Sequence, residues 1–310
     1  MLLSVSVLFA SEAKMETPKN AIVVASFGTT YKSTIKSILQ IAEDIRAAAP
    51  HTEVRLAFTS NIIRKIWHKR SKDEDYRKGN PDVPAYLYDV KNVLGTMADL
   101  QNEGYKNIVV QPTLLVNGEE YHDLSAYVNG LAGIRTIKMK WKPFHKIALG
   151  EPLTGSYDYH DRLEAFAKAL ESDVQRAEKS GSVLIYMGHG NEHMSTGIYY
   201  ELELMMNKMY PQVQTLIGVV EGHPDVDEVL EKAERTGNKN VMMKPLMIVA
   251  GDHARNDMAG EEDDAWKVVF EKAGFTVEPV LEGLGENPEI RKIFVNHMLD
   301  AAEKGNIELK

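Results

Sequence analysis

No cysteine occurs anywhere in the 310-residue chain. Disulfides, thiol nucleophiles, Cys-ligated iron–sulfur clusters and Cys-rich zinc sites are therefore excluded. A cysteine-free chain is compatible with any redox compartment, so this absence assigns none. Surplus positive charge is also missing: 36 Lys and Arg against 45 Asp and Glu leave a formal net charge of −9. General nucleic-acid binding needs the opposite balance, because phosphates must be neutralised, so no nucleic-acid partner is expected. Long apolar runs are scarce as well. Leu2–Ala10 is too short to cross a bilayer and no later segment is a convincing span, so no integral membrane association is expected. Neither AIVVASFGTT at 21–30 nor SVLIYMGHG at 182–190 carries the glycine pattern of a P-loop or a dinucleotide fingerprint. No nucleotide cofactor is expected on that ground.

What is present is a globular chain, 44% hydrophobic and 26% charged, long enough for one large core or two ordinary ones. Its first residues stand apart. Leu2–Ala10 followed by Ser11-Glu12-Ala13 has the look of a secretory apolar region with a small-residue cleavage site, but lacks the basic start such a signal needs. Two readings stay open. Residues 1–13 are a remnant signal peptide, which places the protein in the periplasm, or they extend upstream of a start at Met15, which leaves it cytoplasmic.

From residue 20 onward, strand and helix patterns alternate. The apolar run Ala21–Phe27 predicts a buried strand stopping at Gly28-Thr29-Thr30, and Ile35, Ile38, Leu39, Ala42 and Ile45 then fall on one helical face. Glu53–Phe58 predicts the next strand, and Ser60 can cap a helix bearing Ile62, Ile63, Ile66 and Trp67. Ser71–Pro84 reads as an exposed loop. Leu87, Val90, Leu94 and Met97 restore helical spacing, and strands follow at Ile108–Val110 and near Lys146–Leu149. The second half repeats the plan, with strands at Ser182–Met187, Leu216–Val220 and Val241–Leu246 and helical stripes between them. Asn287, Pro288 and Glu289 are cap, first position and dipole partner of a last helix. The expected architecture is α/β, with two similar Rossmann-like lobes built on parallel sheets. The divisions are an N-terminal extension over 1–19, lobes over 20–150 and 151–286, and a C-terminal helix over 287–310 packing across the lobes.

Three polar groups stand at predicted strand exits, where ligands of open α/β sheets bind. His189 lies between two glycines; a turn histidine satisfied by backbone groups is the competing explanation. His253 sits in a dense polar run, Asp252 to Asp257, after the apolar Leu246–Ala250; capping explains part of that density. Glu120, in NGEEYH with Glu119 and His122, competes with the ordinary reading of carboxylates at a helix start. Two imidazoles and a carboxylate suit Co, Ni, Fe or Zn, and imidazoles can also take up protons near neutral pH. Glu221 and His223 share the same edge with weaker claims. Ser26, Phe27, Gly28 and Thr29 form a turn whose N–H groups can face an anion. Arg64, in a basic helix, is either a solvated residue or part of an anion-binding wall. The methionines at 205, 206, 209, 242, 243 and 247 read as core.

Together these stretches resemble the anaerobic sirohydrochlorin cobaltochelatases of the CbiK group. The resemblance is carried by VVASFGT at 23–29, AFTSNIIRK at 57–65, NGEEY at 117–121, MGHG at 187–190, PLMIVAGDHARNDMAG at 245–260 and GLGENPEIR at 283–291. It runs from about residue 20 to 304. It implies a bilobal chelatase fold with a cleft between pseudo-twofold lobes, and insertion of Co2+ into sirohydrochlorin without ATP. It also implies that His189, His253 and Glu120 bind metal and take pyrrole protons. Ser26, Phe27, Gly28, Thr29 and Arg64 are expected, on their own chemistry, to meet the tetrapyrrole. Fe2+ insertion for sirohaem, use of Ni2+, and a non-catalytic tetrapyrrole or metal carrier are the alternatives. A homo-oligomer is compatible with the sequence, which does not specify one. The N-terminal extension and the polar 71–84 segment depart from the family pattern.

Overall fold

The computed structural model describes residues 19–156, 159–191 and 193–310; the leader segment discussed above lies outside them. The element order is β1 (Lys19–Ser26), α1 (Ile35–Ala48), β2 (Glu53–Phe58), α2 (Asn61–Ser71), α3 (Glu74–Gly79), α4 (Val93–Asn102), β3 (Tyr105–Pro112), α5 (Glu119–Ala132) and β4 (Lys146–Leu149). It continues with α6 (Tyr159–Ala169), α7 (Glu171–Ser180), β5 (Val183–Gly190), α8 (Gly197–Met209), β6 (Thr215–Glu221), α9 (Val226–Thr236), β7 (Asn240–Leu246), α10 (Trp266–Lys272), β8 (Thr276–Pro279) and α11 (Pro288–Lys304). The strands form two four-stranded sheets, β2-β1-β3-β4 and β6-β5-β7-β8, so both halves use the same strand order. All pairings are parallel. This is the expected two-lobed α/β architecture.

Side-chain alternation along the strands explains the layering. On β1, Ile22 and Val24 face a central apolar cluster, while Ala21, Val23 and Ala25 face α4 and α5 on the outside. On β5, Leu184 and Tyr186 join the same central cluster, and Val183, Ile185 and Met187 face α9 and α10. Burial on both faces is why the strands read as unbroken apolar runs. The central cluster also takes Ile38 and Ile41 of α1, Leu163 and Phe166 of α6, and Ile290, Phe294 and Met298 of α11. α11 starts where its capping residues indicate: Asn287 accepts from the Glu289 N–H at 2.9 Å, and Pro288 follows. The helix returns to pack on α1, β3 and β4 of the first sheet and on α6. Arg291 fastens it to Asp44 of α1 at 2.6 Å.

Several local expectations need correction. The 71–84 segment is not all loop, because Asp73 accepts from the Tyr76 N–H at 2.9 Å and starts the short α3. The stripe from Leu87 to Met97 is not one helix. A single 3₁₀ turn spans Ala85–Asp89, and α4 begins anew after Asn92, whose side chain accepts from the Gly95 N–H at 2.8 Å. A polar side chain that caps from an extended backbone cannot also continue the helix before it. The GHG segment is not a turn: β5 runs through Gly190, which pairs with Glu221 of β6. Among the described residues no helix is long and apolar enough to cross a membrane.

Candidate functional site

The carboxyl ends of both sheets open into one cavity of about 510 Å3. From the first lobe it receives Ser26, Phe27, Gly28 and Thr29 at the end of β1, Ile62, Ile63 and Ile66 of α2, Leu114 to Val116, and Glu120 at the start of α5. The second lobe contributes His189 and Gly190 at the end of β5, Tyr199 of α8, the run Leu246 to Val249, and Asp252 and His253. Apolar walls with a few convergent polar groups are the ordinary make-up of a small-molecule site. A depression of similar volume, about 540 Å3, lies at the opposite edge of the first sheet around Lys19, His51 and Lys310, and gathers no comparable set of groups.

The two glycines of Gly188-His189-Gly190 are steric requirements. A Cβ on Gly188 would stand 2.5 Å from the Tyr199 ring. Gly190 has φ +77°, and a Cβ there would stand 1.9 Å from the Glu221 carbonyl oxygen. They let the strand end lie flush against α8 and β6 while His189 projects into the cavity. His189 Nδ1 is 2.8 Å from the Gly190 carbonyl oxygen. A carbonyl can only accept, so Nδ1 carries the proton and Nε2 keeps its lone pair. His253 is held in the same sense: its Nδ1 is 2.6 Å from Asp257 Oδ2. The two rings meet edge to face, with centroids 4.9 Å apart and planes at 88°. An imidazole oriented by an oxygen on one nitrogen and open on the other is the usual arrangement of a metal-binding histidine. His253 leads directly into a π-helical turn, Ala254–Met258, a wide backbone form that recurs at functional sites.

Glu120 stands in the first turn of α5, half-buried, with its neighbour Glu119 exposed. Tyr199 lies across the cavity, and its hydroxyl oxygen accepts from the Gly190 N–H at 3.4 Å. Burial pushes the Tyr199 phenol up to about 12, and the charge of Glu120 adds to the rise. The structure thus brings His189, His253 and Glu120 to one cavity, with the Ser26–Thr29 turn on its wall. Arg64 is not on the lining. It lies on α2 beside the lining residue Ile63, its Nη2 bonds Asn61, and its Nε is buried without a partner.

Sequence order underweighted one group and overlooked another. Glu221 comes within 3.9 Å of His189 Nδ1, because β6 pairs with β5 and the two strand ends are adjacent. Tyr31 donates to Asp252 Oδ1 at 2.7 Å, and Arg255 donates to Ser33 at 3.0 Å and lies over the Tyr31 ring. These contacts bridge the lobes at the cavity rim. His223 separates from the site. It pairs with Glu228 at 2.7 Å, which raises its imidazole above the usual value. Ligand atoms of His223, Asp225 and Glu228 lie within 4.8 Å of one another, a set able to hold a divalent ion. Here the two carboxylates also cap α9, since Asp225 accepts from the Asp227 and Glu228 N–H groups and Glu228 from the Asp225 N–H.

Comparison with known proteins places this geometry in context. The family model described as cobalt chelatase (CbiK) matches residues 20–303. The chain is 34% identical over 286 residues to the sirohydrochlorin cobaltochelatase of Salmonella typhimurium, covering 91% of this chain and 96% of that protein. It is 29% identical over 284 residues to sirohydrochlorin cobaltochelatase CbiKC of Nitratidesulfovibrio vulgaris, covering 91% and 90%. Among solved structures, the fold is similar to SirB from Bacillus subtilis with Fe3+, with a TM-score of 0.60, 13% identity and 94% and 100% of the two chains covered. SirB from Bacillus subtilis subspecies spizizenii in complex with cobalt gives a TM-score of 0.58 at 16% identity, with 94% and 98% covered. From its strand-end histidines to its capped last helix, the chain belongs to the CbiK cobalt chelatase family.

Proposed function

We propose that this protein inserts Co2+ into sirohydrochlorin without ATP, releasing two protons, as a step of anaerobic cobalamin synthesis. The observation that carries the reading is the cavity itself: apolar walls that suit a flat macrocycle, and two histidines from one lobe edge whose Nδ1 atoms are engaged, with no hydrogen bond to either Nε2 among the described residues. The incoming divalent ion binds at His189 and His253, with Glu221 supplying negative charge beside His189. Glu120 faces them from the first lobe and accepts a pyrrole proton. One nitrogen cannot hold a proton and a metal together, so proton uptake falls to Glu120 while the imidazoles hold the ion. As the ion passes to the ring, the imidazoles become free to take the second proton.

Ser26, Phe27, Gly28 and Thr29 support the ring edge. Arg64 swings its guanidinium toward a substrate carboxylate, which would satisfy its buried Nε. Residues 20–150 and 151–286 act as the two lobes, and 287–310 as the helix that ties them. Imidazole and carboxylate ligands accept Fe2+ and Ni2+ as well as Co2+, so the physiological metal is set by supply as much as by the site.

The test is proton release. Anaerobic sirohydrochlorin and Co2+ are mixed with the protein in weakly buffered, ATP-free solution, and acid production is followed with the visible spectrum. Two protons released per cobalt complex formed, above the spontaneous rate, is the expected result. Binding of the tetrapyrrole with no catalysed acid release sinks the insertion reading and leaves a carrier. Arg64→Gln is expected to raise the KM for sirohydrochlorin; unchanged affinity and turnover would remove Arg64 from the site.

A further inference from the structure

Outside the cavity lining, a second pair of histidines joins the lobes. His122, in the first turn of α5, meets His193, which follows β5, with ring centroids 5.2 Å apart and planes at 52°. Both residues are exposed. They sit next to the site in both lobes: Glu120 precedes His122 by two residues, and the His193 N–H donates to the Asn191 side chain at 2.8 Å, with Asn191 on the cavity wall. Glu119 stands three residues before His122 on the same helix. Positions i and i+3 share a helical face, and Glu-x-x-His is a metal-binding spacing for that reason.

We propose that His122, His193 and Glu119 form an outer docking site for the divalent cation, from which it enters the cavity. Two imidazoles and a carboxylate are the right donor set for a borderline ion such as Co2+. Glu119 must rotate to complete the set, and its exposure leaves it free to do so. Exposure also suits the role. A hydrated ion is captured where water still surrounds it, held by side chains with room to move, and passed inward before it is bound too tightly to leave. Because Glu119 and His122 come from one lobe and His193 from the other, the site exists only where the lobes meet at the cavity mouth. The entry role rests on the insertion reading above; the existence of the site does not.

The experiment titrates Co2+ alone into the full-length protein, its His122→Ala/His193→Ala variant, and a His189→Ala/His253→Ala variant, by calorimetry. The same His122→Ala/His193→Ala variant is then assayed for cobalt insertion. Each double variant is expected to bind one ion fewer than the wild type, and the combination of all four substitutions two fewer, because any ion held by His223, Asp225 and Glu228 is common to all of them. In the assay, the KM for Co2+ should rise about tenfold with kcat and the KM for sirohydrochlorin unchanged. Unchanged stoichiometry on removing His122 and His193 overturns the site. Loss of one ion with an unchanged KM for Co2+ overturns the entry role. If the wild type inserts no metal, the insertion reading fails by itself, while the stoichiometry still decides the site.

Discussion

At the scale of single residues, His253 depends on Asp257. The 2.6 Å contact fixes the imidazole's tautomer and orientation, so that Nε2 is the nitrogen offered to the cavity. Asp257→Asn keeps the shape but can donate as well as accept, and loses the charge that makes the ring a better ligand. Metal affinity should fall about 10- to 100-fold, the range usual for such oriented histidines. A calorimetric Co2+ titration of the variant checks this, and unchanged affinity would show that Asp257 does not orient the ligand. The placement of both histidines at the cavity was legible from glycine, strand exit and polar density. Glu221 was legible only as a neighbour in order, since its approach to His189 comes from strand pairing. Tyr31 and Asp252 are 221 residues apart in sequence, and no local pattern announces their contact.

At the scale of elements, α11 was read correctly from its start and carries two further expectations. Asn287 accepts from the Glu289 N–H and donates to the Ala169 carbonyl at 2.7 Å. Asn287→Ala should therefore cost about 1–2 kcal/mol, measured by urea unfolding. On the same helix His297 is buried, and burial beside Arg162 lowers its imidazole below the usual 6.5. The native state thus resists a proton that the unfolded chain accepts. The sign follows: this stability is complete above about pH 6.5 and is lost as pH falls through the folded value. Urea midpoints should decline as pH falls below about 6.5, and His297→Gln should flatten that decline. A slope identical in the variant would assign the acid sensitivity elsewhere. Some of the elements missed by sequence reading are short or interrupted. α3 and β8 span 6 and 4 residues, too few to display a period. The break before α4 hides because Leu87 and Met97 are both buried, although they belong to different elements.

At the scale of the whole molecule, two sheets of identical strand order place their carboxyl ends around one cavity. That repetition was visible as two apolar runs ending in glycine. The closeness of the lobes was not, because it arises from a shared central core and from α11 crossing back. Function follows from this arrangement. In the mechanism we propose, the second lobe supplies the imidazoles for the metal, the first supplies Glu120 and the supporting turn, and the macrocycle sits between them. The measurement that tests this most directly follows the absorption spectrum of anaerobic sirohydrochlorin with Co2+, comparing the wild type with His189→Ala and His253→Ala. The account predicts conversion well above the spontaneous rate for the wild type, lost in both variants while their circular dichroism stays native. Wild-type conversion at only the uncatalysed rate, or full activity in either folded variant, would contradict it.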